Sequence, residues 1–466
     1  MWQAIGALAL RVPLDPNEGW NAYHAVAATT GGSLYPDAAS FMTDNYPPLS
    51  FYVVGRLGRM IGDDIIAGRI LSLASFAFAS CAIAMLAGHW SCSGPRGFSP
   101  ACAPEGARSN DSSALFASLL FAASLLLFSD YVGMNDPQLF GHALQMSALL
   151  LLVFARRRSL LIDVLAAALL VTGLFVKHNL AALPFAMLVW IAVREPRRAG
   201  CLAALMLAMT AAGLGVFRWS FGFDLLSRLA SPRTYALSNL TVNFENWIVW
   251  AAVPLAATLI LGLRNRRDAG AMFPAIYAVT GTLLGLLLSG GAGVDANAMF
   301  DANIAIALGS GLAVARLRNE AQRPIASAVL AAALSIPFAV AIAINWDPDW
   351  LDADFWLHPL QDEAGLAQAD IAWLKLHHGP VLCQTLALCY WAGKPAEADV
   401  FNLDQQFKTG ARDEAPFLGL LAAHRYAAVQ IEADAPFPLP ARVHDVLLRN
   451  YRVARSNDDG VFYVPR

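Results

Sequence analysis

The run IIAGRILSLASFAFASCAIAMLAGHW (Ile65–Trp90) decides the fold, because it is long and apolar enough to cross a bilayer as one helix, which takes about 20 residues. Further apolar runs follow, roughly at residues 114–128, 138–155, 160–176, 180–193, 201–219, 247–263, 272–289, 304–315 and 325–344. Counted with the short apolar segment at residues 1–12, these runs predict a mainly α, polytopic transmembrane bundle of about 11 spans.

The composition supports a membrane protein and argues against a nucleic-acid partner. Hydrophobic residues make up 57% of the 466 residues, above the roughly 45–50% that is usual in soluble proteins. The formal net charge is -3, and the Arg residues fall in short clusters between apolar runs instead of forming a basic stripe. Membrane lipids are therefore the expected surroundings.

The Arg clusters also predict the orientation of the chain. Loops rich in Arg, among them Arg156–Arg158 and Arg264–Arg267, alternate with loops that lack Arg. By the positive-inside rule the Arg-rich side is cytoplasmic, which predicts a multi-pass protein of the inner (cytoplasmic) membrane. The first loop and the C-terminal tail would then both lie outside, provided that residues 1–12 form a first spanning helix.

From Asp347 onward, charged residues return and the apolar runs shorten. We expect a transmembrane domain at residues 1–345, with its first outer loop at 13–64, and a soluble extracytoplasmic α/β domain at residues 346–466. Its predicted helices are at 363–377, 413–424 and 441–449, and its predicted strands are at 380–384, 426–432, 451–455 and 460–464. Cys383 and Cys389 are close enough to pair, but two buried free thiols are the favoured interpretation.

The first outer loop contains the densest group of polar and aromatic residues, in DPNEGWNAYHA (Asp15–Ala25) and DNYPPLSF (Asp44–Phe51). Asp15 and Glu18 are candidate catalytic acids, because a carboxylate at the mouth of a bundle can accept a proton from a hydroxyl or hold a divalent metal. Solvated loop acids are the alternative. Aromatic neighbours suited to a sugar or a lipid headgroup are Trp20, Tyr23, His24 and Tyr46.

Three further charged residues are expected on the same face. Asp136, before Pro137, is either a helix cap or a second acid facing the cavity. Lys177 lies with His178 in a brief turn, and either extends toward lipid headgroups or offers a cation to a phosphate. Arg69, near the outer end of its span, is not explained by the positive-inside rule, so an anionic partner is a second interpretation.

The order of these features resembles the GT-C class of membrane glycosyltransferases, which includes the protein O-mannosyltransferases (glycosyltransferase family 39) and the bacterial aminoarabinose transferase. The shared features are the acidic first loop with NEGWNAYHA, the Tyr-Pro-Pro segment, AGRILSL, the outer Asp136 and Lys177, and a small terminal domain with GPVLCQ and YWAGKP. Such families carry Asp-Glu where this chain has Asn17-Glu18, which leaves open whether Glu18 or Asp15 leads.

The resemblance implies transfer of a hexose or pentose from a polyprenyl-phosphate donor to a lipid, glycan or protein acceptor, on the outer face of the membrane. Glu18, Asp15 and Asp136 would be the catalytic acids, and Lys177, Arg69 and His178 would bind the donor phosphate. Such a reaction needs one base and cationic stabilisation of the leaving phosphate. A divalent metal, Mg²⁺ or Mn²⁺, is a candidate cofactor. The alternative from another class is a transporter or flippase of lipid-linked sugars.

Overall fold

The computed structural model describes residues 2–37, 39–92, 104–222, 225–320, 324–433 and 437–466. The chain is 71% helical, with one small sheet near the C-terminus. The helices are α1 (Trp2–Gly6), α2 (Pro16–Thr30), α3 (Leu49–Ile61), α4 (Asp64–Cys92), α5 (Pro104–Phe128), α6 (Gln138–Phe154), α7 (Leu160–Val176), α8 (Ala182–Ala192), α9 (Pro196–Phe221), α10 (Leu225–Leu229), α11 (Leu237–Arg264), α12 (Ala269–Ser289), α13 (Phe300–Glu320), α14 (Pro324–Ile344), α15 (Ala353–Leu376), α16 (Leu386–Trp391), α17 (Val400–Lys408), α18 (Ala415–Ala422) and α19 (Ala441–Asn450). The strands are β1 (Val381–Cys383), β2 (Ala428–Ile431), β3 (Tyr451–Asn457) and β4 (Gly460–Pro465).

The predicted polytopic bundle is confirmed. Within the described ranges, six helices are long and apolar enough to cross a membrane, namely α4, α9, α11, α12, α13 and α14. Shorter apolar helices lie at Ser112–Phe128, α6, α7 and α8. The chain is therefore a multi-pass membrane protein.

Helix α13 lies at the centre of this bundle and is buried along its length. Small residues allow its neighbours to approach closely, as is common where helices pack in a membrane. A Cβ on Gly309 would collide with the Thr258 side chain of α11, and one on Gly311 would press against Ala117 of α5. The close packing holds the ends of several helices together beneath the site described below.

The described N-terminal residues do not themselves span the membrane. Helix α1 has 5 residues, which at 1.5 Å per residue covers about 7.5 Å of a hydrocarbon core of about 30 Å. It packs on α15 instead, where Gly6 meets Leu357 and Leu360. The contact places this N-terminal segment and the C-terminal part of the chain on one side of the membrane, and the identity of that side stays a prediction.

The predicted first outer loop contains two helices, α2 and α3. Asp15 caps α2, since its side chain accepts a hydrogen bond from Asn17 N, and Pro16 occupies the first turn. Helix α3 begins directly after Pro48, as a proline with a fixed φ allows. The polar residues of the loop are therefore held on rigid elements.

The tail after α14 contains a four-stranded sheet in the order β1-β2-β4-β3. Strands β1 and β2 are parallel, and the other two pairings are antiparallel. The predicted helices and strands of this part are all present within a few residues, except that α15 begins at Ala353, earlier than expected. Two short helices, α16 and α17, were not predicted. The boundary between the domains at residues 345 and 346 stays a prediction.

The expectation of two free thiols is wrong: Cys383 and Cys389 form a disulfide, with Cα atoms 6.0 Å apart. Both residues are buried. Cys383 ends β1 and Cys389 lies in α16, and the chain turns back between them, so that the two side chains meet. The bond fixes α16 against the sheet at the place where this part of the chain contacts α2.

Close contacts join the first loop to the C-terminal α/β region (residues 353–466). Tyr390 donates a hydrogen bond to Asp64 Oδ2 at 2.9 Å, and Trp391 Nε1 donates to Asp63 Oδ2 at 2.9 Å. Gly19 of α2 lies so near the backbone of Ala387 that a Cβ there would collide with it. The two parts therefore enclose space between them, and the candidate site lies there.

Candidate active site

A cavity of about 580 Å³ lies between the ends of the helices and the C-terminal α/β region. Asp15, Tyr46 and Asp136 line one side, and Gln384, Asp399 and Glu432 line the opposite side. A volume of this size suits a small-molecule substrate. Charged and aromatic groups from three distant parts of the sequence therefore meet in one space.

Asp15 is half-buried at the edge of this cavity. Burial raises the pKa of Asp15 to about 6, and the negative charges of Asp136 and Glu18 add to the rise. Hydrogen bonds from Asn17 act in the opposite direction. A carboxylate with a pKa close to neutral pH is well matched to general-base catalysis.

The side chains of Glu18 and Arg69 form a buried ion pair. Arg69 Nε and Nη2 donate to the two Glu18 oxygens at 2.7 and 2.6 Å. The other guanidinium N–H groups donate to the carbonyls of Ala7, Leu10 and Val12. Both side chains have no exposed surface. All five N–H donors of the arginine are thus satisfied within the protein.

The Glu18 carboxylate accepts two more hydrogen bonds, from Leu14 N at 3.1 Å and Asn135 N at 3.0 Å. Its oxygens are occupied and closed to substrate. The expected roles of Glu18 as a base and Arg69 as a phosphate ligand therefore need correction. The pair joins α2 and α4 to the segment that follows α1 and to the Asn135 loop. Its bonds to Leu14 and Asn135 hold the residues next to Asp15 and Asp136.

Asp136 faces the cavity and forms a second buried ion pair. Lys177 Nζ lies 2.9 and 3.0 Å from the two Asp136 oxygens. Asp136 Oδ1 also accepts from Gln138 N at 2.7 Å, although Pro137 is the N-cap of α6. The role of Asp136 as an acid stays a prediction. Lys177 lies beneath the lining, with Nζ 5.3 Å from the centre of the Tyr46 ring.

The aromatic candidates divide into two groups. Trp20 and Tyr46 line the cavity, with ring centres 5.0 Å apart in an edge-on contact. Tyr23 and His24 lie outside the lining: Tyr23 donates to Lys394 O, and His24 Nδ1 lies 2.8 Å from Trp20 O. His178 is exposed, with its ring 6.2 Å from that of Tyr46. The first group is placed to contact a substrate.

Sequence reasoning missed several polar groups of the cavity. Gln384 and Glu432 follow the carboxyl ends of the parallel strands β1 and β2, an edge where ligands commonly bind, and they hydrogen-bond each other at 3.0 Å. The predicted strands PVLCQ and YAAVQIE contained this signal. Arg233, which contacts Asn402 Oδ1 at 3.4 Å, follows α10 in a loop without a recognisable pattern. Burial raises the pKa of Asp399, which caps α17.

Among the described residues, no group of three or more His, Cys, Asp or Glu side chains is placed to hold a metal ion. Asp15 and Asp136 both line the cavity and would be the carboxylates available to an Mg²⁺ or Mn²⁺ ion, together with water and substrate phosphate. The divalent cofactor stays a prediction.

The chain shares its fold with two solved crystal structures, which confirms the expected resemblance at the level of the fold. The chain is similar to ArnT from Cupriavidus metallidurans, in a crystal structure with undecaprenyl phosphate bound, at 15% identity and a TM-score of 0.60, over 99% of this chain and 96% of that one. The apo structure of the same ArnT gives 15% identity and a TM-score of 0.61, over 99% and 95%. No family model and no curated protein matches the sequence. The likeness therefore concerns the fold.

Proposed function

We propose that this protein transfers a sugar from a polyprenyl-phosphate donor to a hydroxyl acceptor at the cavity. The observation that carries the proposal is the placement of Asp15, with its pKa of about 6, beside the Asp136–Lys177 ion pair in one cavity. The ArnT structure with bound undecaprenyl phosphate, which shares the fold, supports a lipid-linked donor.

The proposed reaction is a displacement at the anomeric carbon of the donor sugar. The acceptor oxygen forms the new bond to that carbon, its proton passes to Asp15, and the bond from the carbon to the phosphate oxygen breaks. The products are the glycosylated acceptor and polyprenyl phosphate. Asp15 suits the role of base because it is partly exposed and its carboxylate has one short hydrogen bond, from Asn17 N at 2.7 Å.

The leaving phosphate needs positive charge, and we assign this role to Arg233 and Lys177, since Lys408, which also lines the cavity, pairs with Asp404 at 2.7 Å. Arg233 lines the cavity directly, and Lys177 lies behind Asp136. Asp136 neutralises part of the Lys177 charge and fixes its position, so the pair presents a preorganised dipole instead of a mobile cation. Trp20 and Tyr46 give an aromatic wall on which a sugar ring can lie.

The donor and acceptor approach from different directions in this proposal. The polyprenyl chain lies along the outer ends of the spanning helices, since this hydrocarbon chain needs an apolar environment. The acceptor enters beneath the C-terminal α/β region, where Gln384 and Glu432 offer hydrogen-bond groups. A lipid, glycan or protein hydroxyl meets the chemical requirement, and the reaction takes place on the outer face of the cytoplasmic membrane.

A deletion strain tests the proposal in the cell. Mass analysis of the envelope lipids, glycans and glycoproteins should show one class of molecule lacking a hexose or pentose, with restoration by the wild-type gene and not by a gene carrying Asp15→Asn. An unchanged envelope, with accumulation of lipid-linked sugar on one side of the membrane, would favour the transporter or flippase instead. Purified protein assayed with and without EDTA decides the metal requirement.

A further inference from the structure

A second cavity, of about 460 Å³, lies at the opposite ends of the helices that border the active site. Four arginines line it: Arg156, Arg158, Arg194 and Arg198. Arg156, Arg158 and Arg194 lie in the two loops that join α6 to α7 and α8 to α9, and Arg198 lies in the first turn of α9. The tips of four apolar helices therefore meet around the cavity.

The arginines are not balanced by acids of the cavity. Glu195 lines it and pairs with Arg158 at 2.5 Å. Asp163, behind the wall, pairs with Arg198 at 2.7 Å. Arg156 and Arg194 are exposed, and among the described residues neither pairs with a carboxylate. Two positive charges therefore remain beside one concave surface, which favours a negatively charged ligand.

Apart from His89 and Glu195, the remainder of the wall is mainly apolar. Leu152, Val153 and Ile191 line the cavity between the arginines, and Trp190 closes its inner end, where the indole N–H donates to Ala269 O at 3.0 Å. Beside the cavity, Leu160, Leu161 and Val193 are 69%, 66% and 60% exposed. A ligand with a charged head and long apolar chains fits both surfaces, whereas a soluble anion would use the arginines alone.

We propose that this cavity binds the phosphodiester headgroup of an anionic membrane lipid, with its acyl chains against the exposed ends of α7 and α8. Basic pockets between membrane helices on the cytoplasmic side bind such headgroups in general. Arg156 and Arg194 contact the phosphate oxygens, and Trp190 lies at the headgroup level, as interfacial tryptophans do. The site is separate from the proposed sugar-transfer cavity.

The test is native mass spectrometry of the purified full chain in a neutral detergent, titrated with phosphatidylglycerol or with phosphatidylcholine of the same acyl chains. The wild-type protein should bind the anionic lipid more tightly. The Arg156→Gln/Arg194→Gln variant should bind it about 30-fold less tightly, because each arginine near an anionic surface contributes roughly fivefold. The matched control is Arg264→Gln/Arg266→Gln, which removes two exposed arginines outside this cavity.

Because Arg194 also donates to Arg267 O, the single variant Arg156→Gln is measured beside the double variant, with thermal stability as a check on folding. A loss of about fivefold in a stable Arg156→Gln variant supports the proposal. Equal affinity for both lipids, or equal loss in the control variant, would overturn it. Inorganic phosphate is added as a competitor. If it displaces all bound lipid, and binds the protein equally tightly when no lipid is present, the cavity is a site for a soluble anion and the proposal is overturned.

Discussion

Asp15 carries the proposed proton transfer, and its environment determines its chemistry. The Asp15→Asn variant keeps the helix cap, because Asn is an equally good N-cap residue, but it removes the base. We expect sugar transfer to fall by about 10²–10⁴-fold with thermal stability unchanged. Asp352→Asn is the control, since Asp352 caps α15 in the same way and is exposed. Full activity of the Asp15→Asn variant would show that Asp15 is not the catalytic base.

The raised pKa of Asp15 predicts a pH profile. A general base acts only when it is deprotonated, so the pKa of about 6 implies that kcat/KM rises with pH up to about 6 and then levels off. The measurement is the rate of transfer in nanodiscs between pH 4.5 and 8. A rate that is constant across this range, or that falls as pH rises through 6, would contradict the assignment.

Glu18 is expected to behave differently from Asp15. Glu18→Gln leaves the buried Arg69 without its charged partner, and breaking a buried ion pair in this way costs about 3–5 kcal/mol. We therefore expect a lower unfolding temperature for this variant, together with reduced activity through misplacement of α2. The positioning role would be refuted by a Glu18→Gln protein of wild-type stability that has lost only catalysis.

At the scale of elements, the Asp136–Lys177 pair joins the start of α6 to the end of α7. Lys177→Met should leave a buried carboxylate unpaired, lower stability, and weaken use of the donor. The double variant Asp136→Asn/Lys177→Met should recover much of the stability but not the transfer activity, because the cation stays absent. A double-mutant cycle on both quantities measures the coupling. Recovery of transfer in the double variant would show that the pair is structural.

The elements themselves were predictable to different degrees. Apolar length is a local property of the sequence, so the spanning helices followed directly from runs such as Ile65–Trp90. Helices α16 and α17 were missed because they are short and are fixed by burial, and α16 also by the Cys383–Cys389 disulfide. The Glu18–Arg69 pair, 51 residues apart, was assigned to substrate because sequence alone does not show that α2 packs on α4.

Part of the lining of the candidate cavity was predicted from the sequence, and the roles of its residues stay predictions. Asp15, Trp20, Tyr46 and Asp136 all line the cavity, and the first loop lies against the C-terminal α/β region as expected from their shared side. The sequence did not predict that the C-terminal α/β region contributes Gln384, Asp399 and Glu432 to the cavity. Their positions depend on how the sheet is oriented over the bundle, which no local pattern encodes.

At the scale of the whole molecule, the Arg-rich loops alternate with Arg-poor ones from α4 onward, whether or not residues 1–12 span the membrane. They predict that the C-terminal α/β region is extracytoplasmic. A reporter that is active only in the cytoplasm should be silent when fused after Arg466 and active when inserted in the Arg156–Arg158 loop. The contact of α1 with α15 predicts the same side for an N-terminal tag. The opposite pattern would place the proposed active site in the cytoplasm and overturn the proposed orientation.

The central claim is that this protein itself transfers sugar from a lipid phosphate. The most direct measurement uses purified protein in nanodiscs with polyprenyl-phosphate sugar labelled in the sugar, an extract of envelope acceptors, and mass spectrometry of the products. We predict that wild-type protein releases polyprenyl phosphate and labels an acceptor in equal amounts, and that Asp15→Asn does neither above about 1% of that rate. The account would be contradicted if the donor stayed intact after prolonged incubation while both the wild-type protein and the Asp15→Asn variant moved it across the bilayer.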